Sequence, residues 1–454
     1  MLQPQPETRS LLNNAWLRLP ERFRRSNQFL GKQYAGCAAT IGVMPRCDFA
    51  CKACYLGKEA NRIPMASLDD IKHQLDLISQ WLGHGGNVQI TDGEVTLRDT
   101  EELLSIIRYA NNIKLVPMLM THGDHIRLDP GLMIRLMQEA GLREVSIHID
   151  TTQRGRFGEA FRYASTEQQL MPLRDEFAVL VRKLRKQTGK PLKVAMTVTV
   201  TAQNSNQISE IVNWANHNAD VVTLLSFQPV AEVGRTVHET GNAGSMEQLW
   251  ENIGQGLHNP QRTAADLTSH FGYLGHAQCT RFVQGLVVHK AGGTATFHPL
   301  FLIDEPLDQS CLQDFLDRFG GLSTRFDSGF GLSVRLLGLF LRNPHFVWHT
   351  GLPFVRRKWR ELSHGYGPGL WRDYLLQRTR INYQNIVSHH FMNQAEINTE
   401  LGQERISSCA FKVPINGELM SMCQVNASGY REQYYQTLRN ATGTLPTAPP
   451  NSDG

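Results

Sequence analysis

The stretch "RCDFACKACYLG", residues 46–57, gathers Cys47, Cys51 and Cys54 within eight positions of a 454-residue chain that has only five other cysteines. The apolar run before it, "CAATIGVM" (37–44), reads as a β-strand. Beyond it, "SLDDIKHQLDLISQWLG" (67–83) reads as an amphipathic helix, with Ser67 as N-cap and apolar residues at three-to-four spacing. The three thiols therefore belong to a loop between a strand and a helix. Three thiolates can hold a four-iron, four-sulfur cluster and leave one iron open to a ligand from outside the chain. The alternative is a zinc site completed by a distant His or Cys.

The same alternation continues outward from this unit. Strands are predicted at "NVQIT" (87–91), "KLVPMLM" (114–120), "EVSIHID" (144–150), "LKVAMTVTV" (192–200) and "DVVTLLSF" (220–227). Helices are predicted at "TEELLSIIRYAN" (100–111), "PGLMIRLMQEAG" (130–141), "MPLRDEFAVLVRKLRKQTG" (171–189) and "NQISEIVNWANH" (206–217). That order predicts an α/β fold, a parallel sheet or barrel with its helices outside. Chemistry in such folds gathers in the loops at the C-terminal ends of the strands, and the cysteine loop is one of them. After about residue 260 the alternation stops.

Composition narrows the class. Hydrophobic residues make up 41% and charged residues 19%, which supports a sizeable core rather than disorder. A net charge of +4 over this length implies no nucleic-acid partner. Eight cysteines are too sparse for a disulfide framework, and their clustering suits metal binding in a reducing compartment. "SLLNNAWLRLPERFRRSNQFLGKQ" (10–33) is amphipathic and basic, without the apolar centre and cleavage site of a secretory leader. No run approaches the about 20 apolar residues of a membrane span. A cytoplasmic location is expected, with peripheral contact at the inner membrane face.

The cysteine spacing after the first strand, joined to "VQITDGEVTLRD" (88–99) at the second, resembles the radical S-adenosylmethionine (radical SAM) superfamily over about residues 36–235. The resemblance implies a partial (βα)6 barrel, a 4Fe-4S cluster on Cys47, Cys51 and Cys54, and S-adenosyl-L-methionine on the open iron. It also implies reductive cleavage of that cofactor to a 5′-deoxyadenosyl radical that abstracts hydrogen, with a reductant such as flavodoxin or ferredoxin as partner. Asp92-Gly93-Glu94 stands where the family has Gly-Gly-Glu. Glu94 is then expected to accept hydrogen bonds from the cofactor's ammonium, and Gly93 to let the backbone approach closely. The family places an aromatic near the adenine just before the third cysteine; here that position is Ala53, and Tyr55 follows the cysteine instead. Thr121, Ser146, His148, Asp150 and Gln228, with Pro229 and Arg235, are the further expected cofactor contacts.

Cys37 reads as a core thiol. Cys279, Cys311, Cys409 and Cys423 all follow the predicted barrel, and four thiolates can ligate a second cluster or a structural zinc. Several radical SAM subfamilies carry an auxiliary 4Fe-4S cluster in a C-terminal extension, so a second cluster on these four is expected. The expected organisation is a helical lead-in at 1–35, a core barrel at 36–235, a C-terminal α+β cysteine-bearing extension at 236–440 and a disordered tail at 441–454. "FQPV" followed by "GR", and "CAFKVPINGELMSMCQVN" (409–426), resemble tetraether-lipid synthases and related methylases that do not use cobalamin. This implies carbon–carbon bond formation or methylation on a lipid-like substrate.

Between 321 and 380, basic and aromatic residues interleave with few acids. Phe340, Trp348, Trp359 and Trp371 suit an apolar boundary, and Arg356, Arg357, Lys358 and Arg360 suit anionic head groups, so a membrane surface is a further expected partner. Two rival readings are a radical SAM maturase of ribosomal peptides and a non-catalytic iron–sulfur or zinc protein. Glu94 speaks against the second, because a purely structural metal site has no use for an acceptor of a cofactor's ammonium.

Overall fold

A computed structural model describes residues 6–236, 244–290, 293–323, 329–367 and 369–442 of the chain. The apolar runs become β1 (Cys37–Ala39), β2 (Asn87–Ile90), β3 (Val116–Thr121), β4 (Glu144–His148), β5 (Lys193–Val200) and β6 (Val222–Pro229). These six pair in sequence order and in parallel. The helices between them show why three-to-four spacing appears in the sequence: each turns one apolar stripe onto the sheet. Leu68–Leu82 buries Ile71, Leu75, Ile78 and Leu82, and Thr100–Asn112 buries Leu103, Leu104, Ile106, Ile107 and Ala110. These side chains join the buried strand residues in one core. Each buried side chain of this kind contributes about 1.5–3 kcal/mol. The result is the expected partial α/β barrel, an open half-barrel of parallel strands with helices outside.

Ser67 caps its helix as expected, accepting the Asp70 N–H while the Asp70 carboxylate accepts the Ser67 N–H. The strand expected at 37–44 is shorter than its apolar run. Gly42 takes φ +76° and turns its N–H to Asp92 Oδ2 at 2.9 Å, so the chain leaves the sheet after three residues. That early exit starts the cysteine loop.

The later part of the chain adds to both edges of this sheet. Its strands are β7 (Gly272–Tyr273), β8 (Thr280–Lys290), β9 (Ala295–Pro299), β10 (Thr379–His389), β11 (Phe411–Ile415) and β12 (Glu418–Ser421). β10 runs parallel beside β6, with Asn385 opposite Leu224, and β11 runs parallel beside β1, with Phe411 opposite Cys37. Eight strands are therefore parallel in the order β11-β1-β2-β3-β4-β5-β6-β10, and β12, β8, β7 and β9 extend the edges antiparallel. Between β9 and β10 lie the helices Pro306–Phe319, Gly329–Arg342 and Leu352–Tyr366. Among the described residues no helix is long and apolar enough to cross a membrane. Most of the tail expected to be disordered, from residue 443 on, lies outside the described residues.

Leu75 is wholly buried at the centre of the first helical stripe. Leu75→Ala should destabilise the protein by about 2–5 kcal/mol, read as a shift in the denaturant midpoint.

Candidate functional site

The C-terminal ends of β1 to β6 surround a cavity of about 220 Å³. Cys47, Cys51, Cys54 and Tyr55 line it from the loop after β1, Gly93 and Glu94 from the turn after β2, and Thr121 and His122 from the end of β3. Ser146, His148, Thr197, Thr199 and Gln228 complete a polar band across β4, β5 and β6.

The cysteine loop is seated by backbone contacts. Gly93, at φ +94°, lies so close to the loop that a Cβ there would stand 2.1 Å from the Met44 carbonyl oxygen and 2.2 Å from that of Arg46. Only glycine meets both demands. The next residue, Glu94, donates its N–H to the Arg46 carbonyl at 2.8 Å. Asn61 folds back on Cys47, accepting its N–H at 2.7 Å and donating to its carbonyl at 3.2 Å. On the other side, Ala50 and Lys52 donate their N–H groups to the carbonyls of Arg154 and Thr152.

Glu94 is buried and held from several directions. Its Oε1 accepts from the Thr121 hydroxyl at 2.6 Å, the Thr96 hydroxyl at 2.5 Å and the Thr96 N–H at 3.2 Å, and its Oε2 accepts the His122 N–H at 2.8 Å. Thr121 thus orients Glu94 at the cavity wall. The Tyr55 hydroxyl meets the Thr91 hydroxyl at 3.2 Å, and burial with the Asp92 carboxylate nearby raises its pKa. Ser146 pairs with Thr197 across the strands at 2.9 Å, and His148 Nε2 reaches Thr199 Oγ1 at 3.1 Å.

Asp150 does not line the cavity. Its carboxylate sits behind His148 at 2.7 Å and accepts the N–H groups of Thr152 and Thr199 at 2.8 Å. Burial opposes its ionised form, but His148 and these donors hold its pKa at about 2. It therefore orients His148 rather than meeting a ligand. Arg235 donates to Cys54 Sγ at 3.4 Å, next to Gly234, which packs against the Tyr55 carbonyl.

Three residues beside the cysteine loop went unread in the sequence. Asp48 accepts from His122 Nε2 at 2.9 Å and from His125 Nε2 at 3.0 Å, and the His122 ring stacks on Phe49 with centroids 3.7 Å apart. Burial acts against ionised Asp48, yet the two imidazoles bring its pKa well below the usual carboxylate range. The signal was present in "THGDH" (121–125), of which the sequence reading took only Thr121.

The later cysteines divide. Cys279, before β8, accepts from Arg405 Nε at 3.3 Å, and Cys423, on the helix Met422–Ala427, accepts the Met392 N–H at 3.5 Å. Cys409 accepts the Phe411 N–H at 3.4 Å. Two of these thiols feel the charge of Cys409: burial and Cys409 push Cys423 up to about 12, and burial, with Cys409 adding to it, pushes Cys279 to about 11. Cys423 also lines the cavity, with Phe391, Phe411, Met422 and Asn426, so one thiol of the second group borders the same chamber as the first group.

Cys311 departs from the expected set of four. It is buried on the helix Pro306–Phe319 among Phe319, Leu339 and Phe346, and its charged neighbours are Asp308 and Asp314 rather than any cysteine. It is a packed core thiol.

The sequence profile of the Radical SAM superfamily matches residues 41–215, the span from the cysteine loop to the helix before β6. Residues 41–215 carry a radical SAM domain. Enzymes of that superfamily use a 4Fe-4S cluster and S-adenosylmethionine. Among curated proteins it is similar to the 7,8-dihydro-6-hydroxymethylpterin dimethyltransferase of Methanocaldococcus jannaschii, 26% identical over 204 residues, covering 44% of this chain and 38% of that protein. It is also similar to the GTP 3',8-cyclase of Erythrobacter litoralis, 23% identical over 197 residues, covering 42% of this chain and 54% of the cyclase. The chain thus spans about half the length of these relatives or less. Among solved structures, anSMEcpe with bound AdoMet and the Cp18Cys peptide aligns at TM-score 0.32 and 14% identity, over 48% of this chain and 57% of that one.

The residues present suit the cofactors of this domain. Burial and the neighbouring Cys54 push Cys51 up to about 12, and burial with Cys51 raises Cys47. Cys47 and Cys51 are thus held as thiols by their burial, and an iron–sulfur cluster supplies the positive centre beside which they ionise.

Proposed function

We propose that this is a radical SAM enzyme in which Cys47, Cys51 and Cys54 hold the cluster and Glu94 receives the ammonium of S-adenosylmethionine. One observation carries the reading: three cysteine sulfurs and the pinned carboxylate of Glu94 line one cavity at the C-terminal ends of the strands. When bound, these cofactors supply a 5′-deoxyadenosyl radical able to take hydrogen from an unactivated C–H bond. The chain's own part is placement and shelter. Thr96, Thr121 and the His122 N–H orient Glu94. Tyr55, Ser146, His148, Thr199 and Gln228 offer polar contacts to the cofactor's sugar and base, and Phe391, Phe411 and Met422 form an apolar wall that excludes water. Anaerobic protein given a strong reductant should cleave S-adenosylmethionine to 5′-deoxyadenosine and methionine. Replacing Cys47, Cys51 or Cys54 by Ala should abolish this, and cleavage surviving in the triple variant would refute the reading.

The second cysteine group supports an auxiliary iron–sulfur centre on Cys279, Cys409 and Cys423, without Cys311. Iron analysis after reconstitution discriminates. Replacing the three together should remove about half the iron, whereas Cys311→Ala should leave it unchanged. Full iron retention in the triple variant rejects an auxiliary centre, and zinc in its place revises it.

The finer reading is carbon–carbon bond formation or methylation on a lipid-like substrate reached at a membrane surface, with flavodoxin or ferredoxin as reductant. Its support is the helix Gly329–Arg342. Leu339 anchors that helix inward, while Phe330, Val334, Leu337 and Leu341 form a solvent-facing stripe, with Phe330 85% and Leu341 72% exposed. Trp348, Arg342, Arg356 and Arg360 are exposed nearby. The sequence reading named two basic residues too many. Arg357 pairs with Asp308, and buried Lys358 donates to the Pro299 carbonyl at 2.7 Å and to Glu361 at 3.0 Å. Trp359 is half-buried against Val288 and Leu362, and the Trp371 side chain lies outside the described residues. Basic residues near an anionic bilayer contribute about 1 kcal/mol each. The protein should sediment with anionic liposomes at low salt, and Arg356→Gln/Arg360→Gln/Leu337→Ser should release it. Wild type remaining in the supernatant would remove the lipid reading's main support.

A further inference from the structure

The turn before Glu94 contains a feature that neither the cysteines nor Glu94 explains. Asp92 is not glycine, yet it adopts φ +92°, a backbone region that L-residues seldom occupy. Its side chain is wholly buried. A glycine would take this conformation without strain, so the reason for an aspartate lies in what its carboxylate holds.

It holds three things. Oδ2 accepts the Gly42 N–H at 2.9 Å, where the chain leaves β1 for the cysteine loop. Arg431 Nη1 donates to Oδ1 at 2.8 Å, and the Tyr435 hydroxyl donates to both oxygens at 2.9 and 3.0 Å. Arg431 and Tyr435 are buried residues one turn apart on the C-terminal helix Tyr430–Thr442, more than 330 positions away in sequence. The same guanidinium lies 4.9 Å over the Tyr55 ring, and its Nε donates at 2.8 Å to Asn426 Oδ1. One buried positive charge thus touches the turn that carries Glu94, the aromatic after Cys54 and a residue of the cavity wall.

The helix has further anchors besides the Asp92 carboxylate. Tyr435 packs with Leu56, Ala60 and Ile63; Glu432 accepts the Lys58 N–H at 3.0 Å; Arg439 meets Glu59 at 2.7 Å. These contacts fasten the helix to the outer half of the cysteine loop. Among the described residues, Asp92 is what links it inward to the 92–94 turn.

We propose that Asp92, Arg431 and Tyr435 are positioning residues for S-adenosylmethionine: they clamp the turn that carries Glu94 against the cysteine loop, which makes the C-terminal helix part of the cofactor site. The proposal rests on the radical SAM reading above. It concerns residues that touch neither cluster nor cofactor and act through Glu94 and Tyr55.

The test is a titration of the reduced, iron-loaded protein with S-adenosylmethionine, following the electron paramagnetic resonance signal of the cluster, with iron content and melting temperature measured alongside. Arg431→Met should raise the cofactor concentration at half-change tenfold or more while the iron content stays as in the wild type. Arg431→Lys, which keeps the charge, should recover part of that loss. The triple variant Asp92→Gly/Arg431→Met/Tyr435→Phe removes the buried charge altogether and places glycine at the positive φ. It should melt near the wild-type temperature and still need about ten times more cofactor, which separates positioning from stability. A triple variant with wild-type half-saturation overturns the proposal, because Glu94 would then be held without the clamp. An unchanged titration of Arg431→Met overturns it equally. A wild type that binds iron but shows no response to the cofactor brings down the radical SAM reading itself, and the clamp with it.

Discussion

The close approach of Gly93 to the carbonyls of Met44 and Arg46 sets the geometry on which the cavity depends. A side chain at 93 would collide with backbone, so the turn after β2 and the loop after β1 keep their relative position only while that residue is glycine. Two consequences follow. The Glu94 N–H is brought to the Arg46 carbonyl, so the carboxylate of Glu94 faces the same space as Cys47. The loop also cannot swing outward without breaking the bridge between Arg46 and Gly93, which ties it to the sheet. Hydrogen bonds between backbone groups resist such motion better than side-chain packing, because an unmade buried bond costs about 1–3 kcal/mol.

The chamber is completed from the far end of the chain. A six-stranded half-barrel has two open edges, and an unpaired edge exposes backbone donors and acceptors. Here β10 covers one edge and β11 the other, so residues on both sides of the 390–410 connection reach opposite sides of the same sheet. That connection and the helix after β12 bring Phe391, Met392, Met422 and Cys423 to the cavity. Cys423, more than 300 positions from the first cysteine group, thereby borders the same space as that group.

What was legible in the sequence was what repeats. The strand runs at 114–120, 192–200 and 220–227 and the apolar stripes between them recur as β3, β5, β6 and their covering helices, because local periodicity and burial demand the same pattern there. Asp92 was noticed only as a departure from glycine; its partners Arg431 and Tyr435 lie too far along the chain for any local pattern to connect them. Cys311 was grouped with the other late cysteines on residue type alone, whereas an apolar helix face had claimed it. Arg357 and Lys358 were read as suited to anionic head groups, but Asp308, from a neighbouring helix, and Glu361, from the same one, pair with them. Apart from Glu361, which stands three and four positions along the same helix, each miss is a contact across the fold that spacing does not encode.

The two cysteine groups share an electrostatic arrangement that follows from their burial. Enclosed sulfurs resist ionisation, more so when neighbouring sulfurs carry charge, and this drives Cys51 and Cys423 to about 12. Each group is given one guanidinium: Arg235 beside Cys54 at 3.4 Å, and Arg405 beside Cys279 at 3.3 Å. Burial disfavours both cations, but the adjacent sulfur outweighs it and both pKa values rise. Arginine serves here better than lysine because it does not lose its proton when enclosed, so the offsetting charge is present at every working pH. One guanidinium balances one thiolate of three. The other sulfurs, held high by burial and by one another, stay protonated unless a positive centre binds among them. The arginine at each group lowers the charge that a centre bound there would have to neutralise, and Cys423 brings the second group to the wall of the cavity that the first group lines.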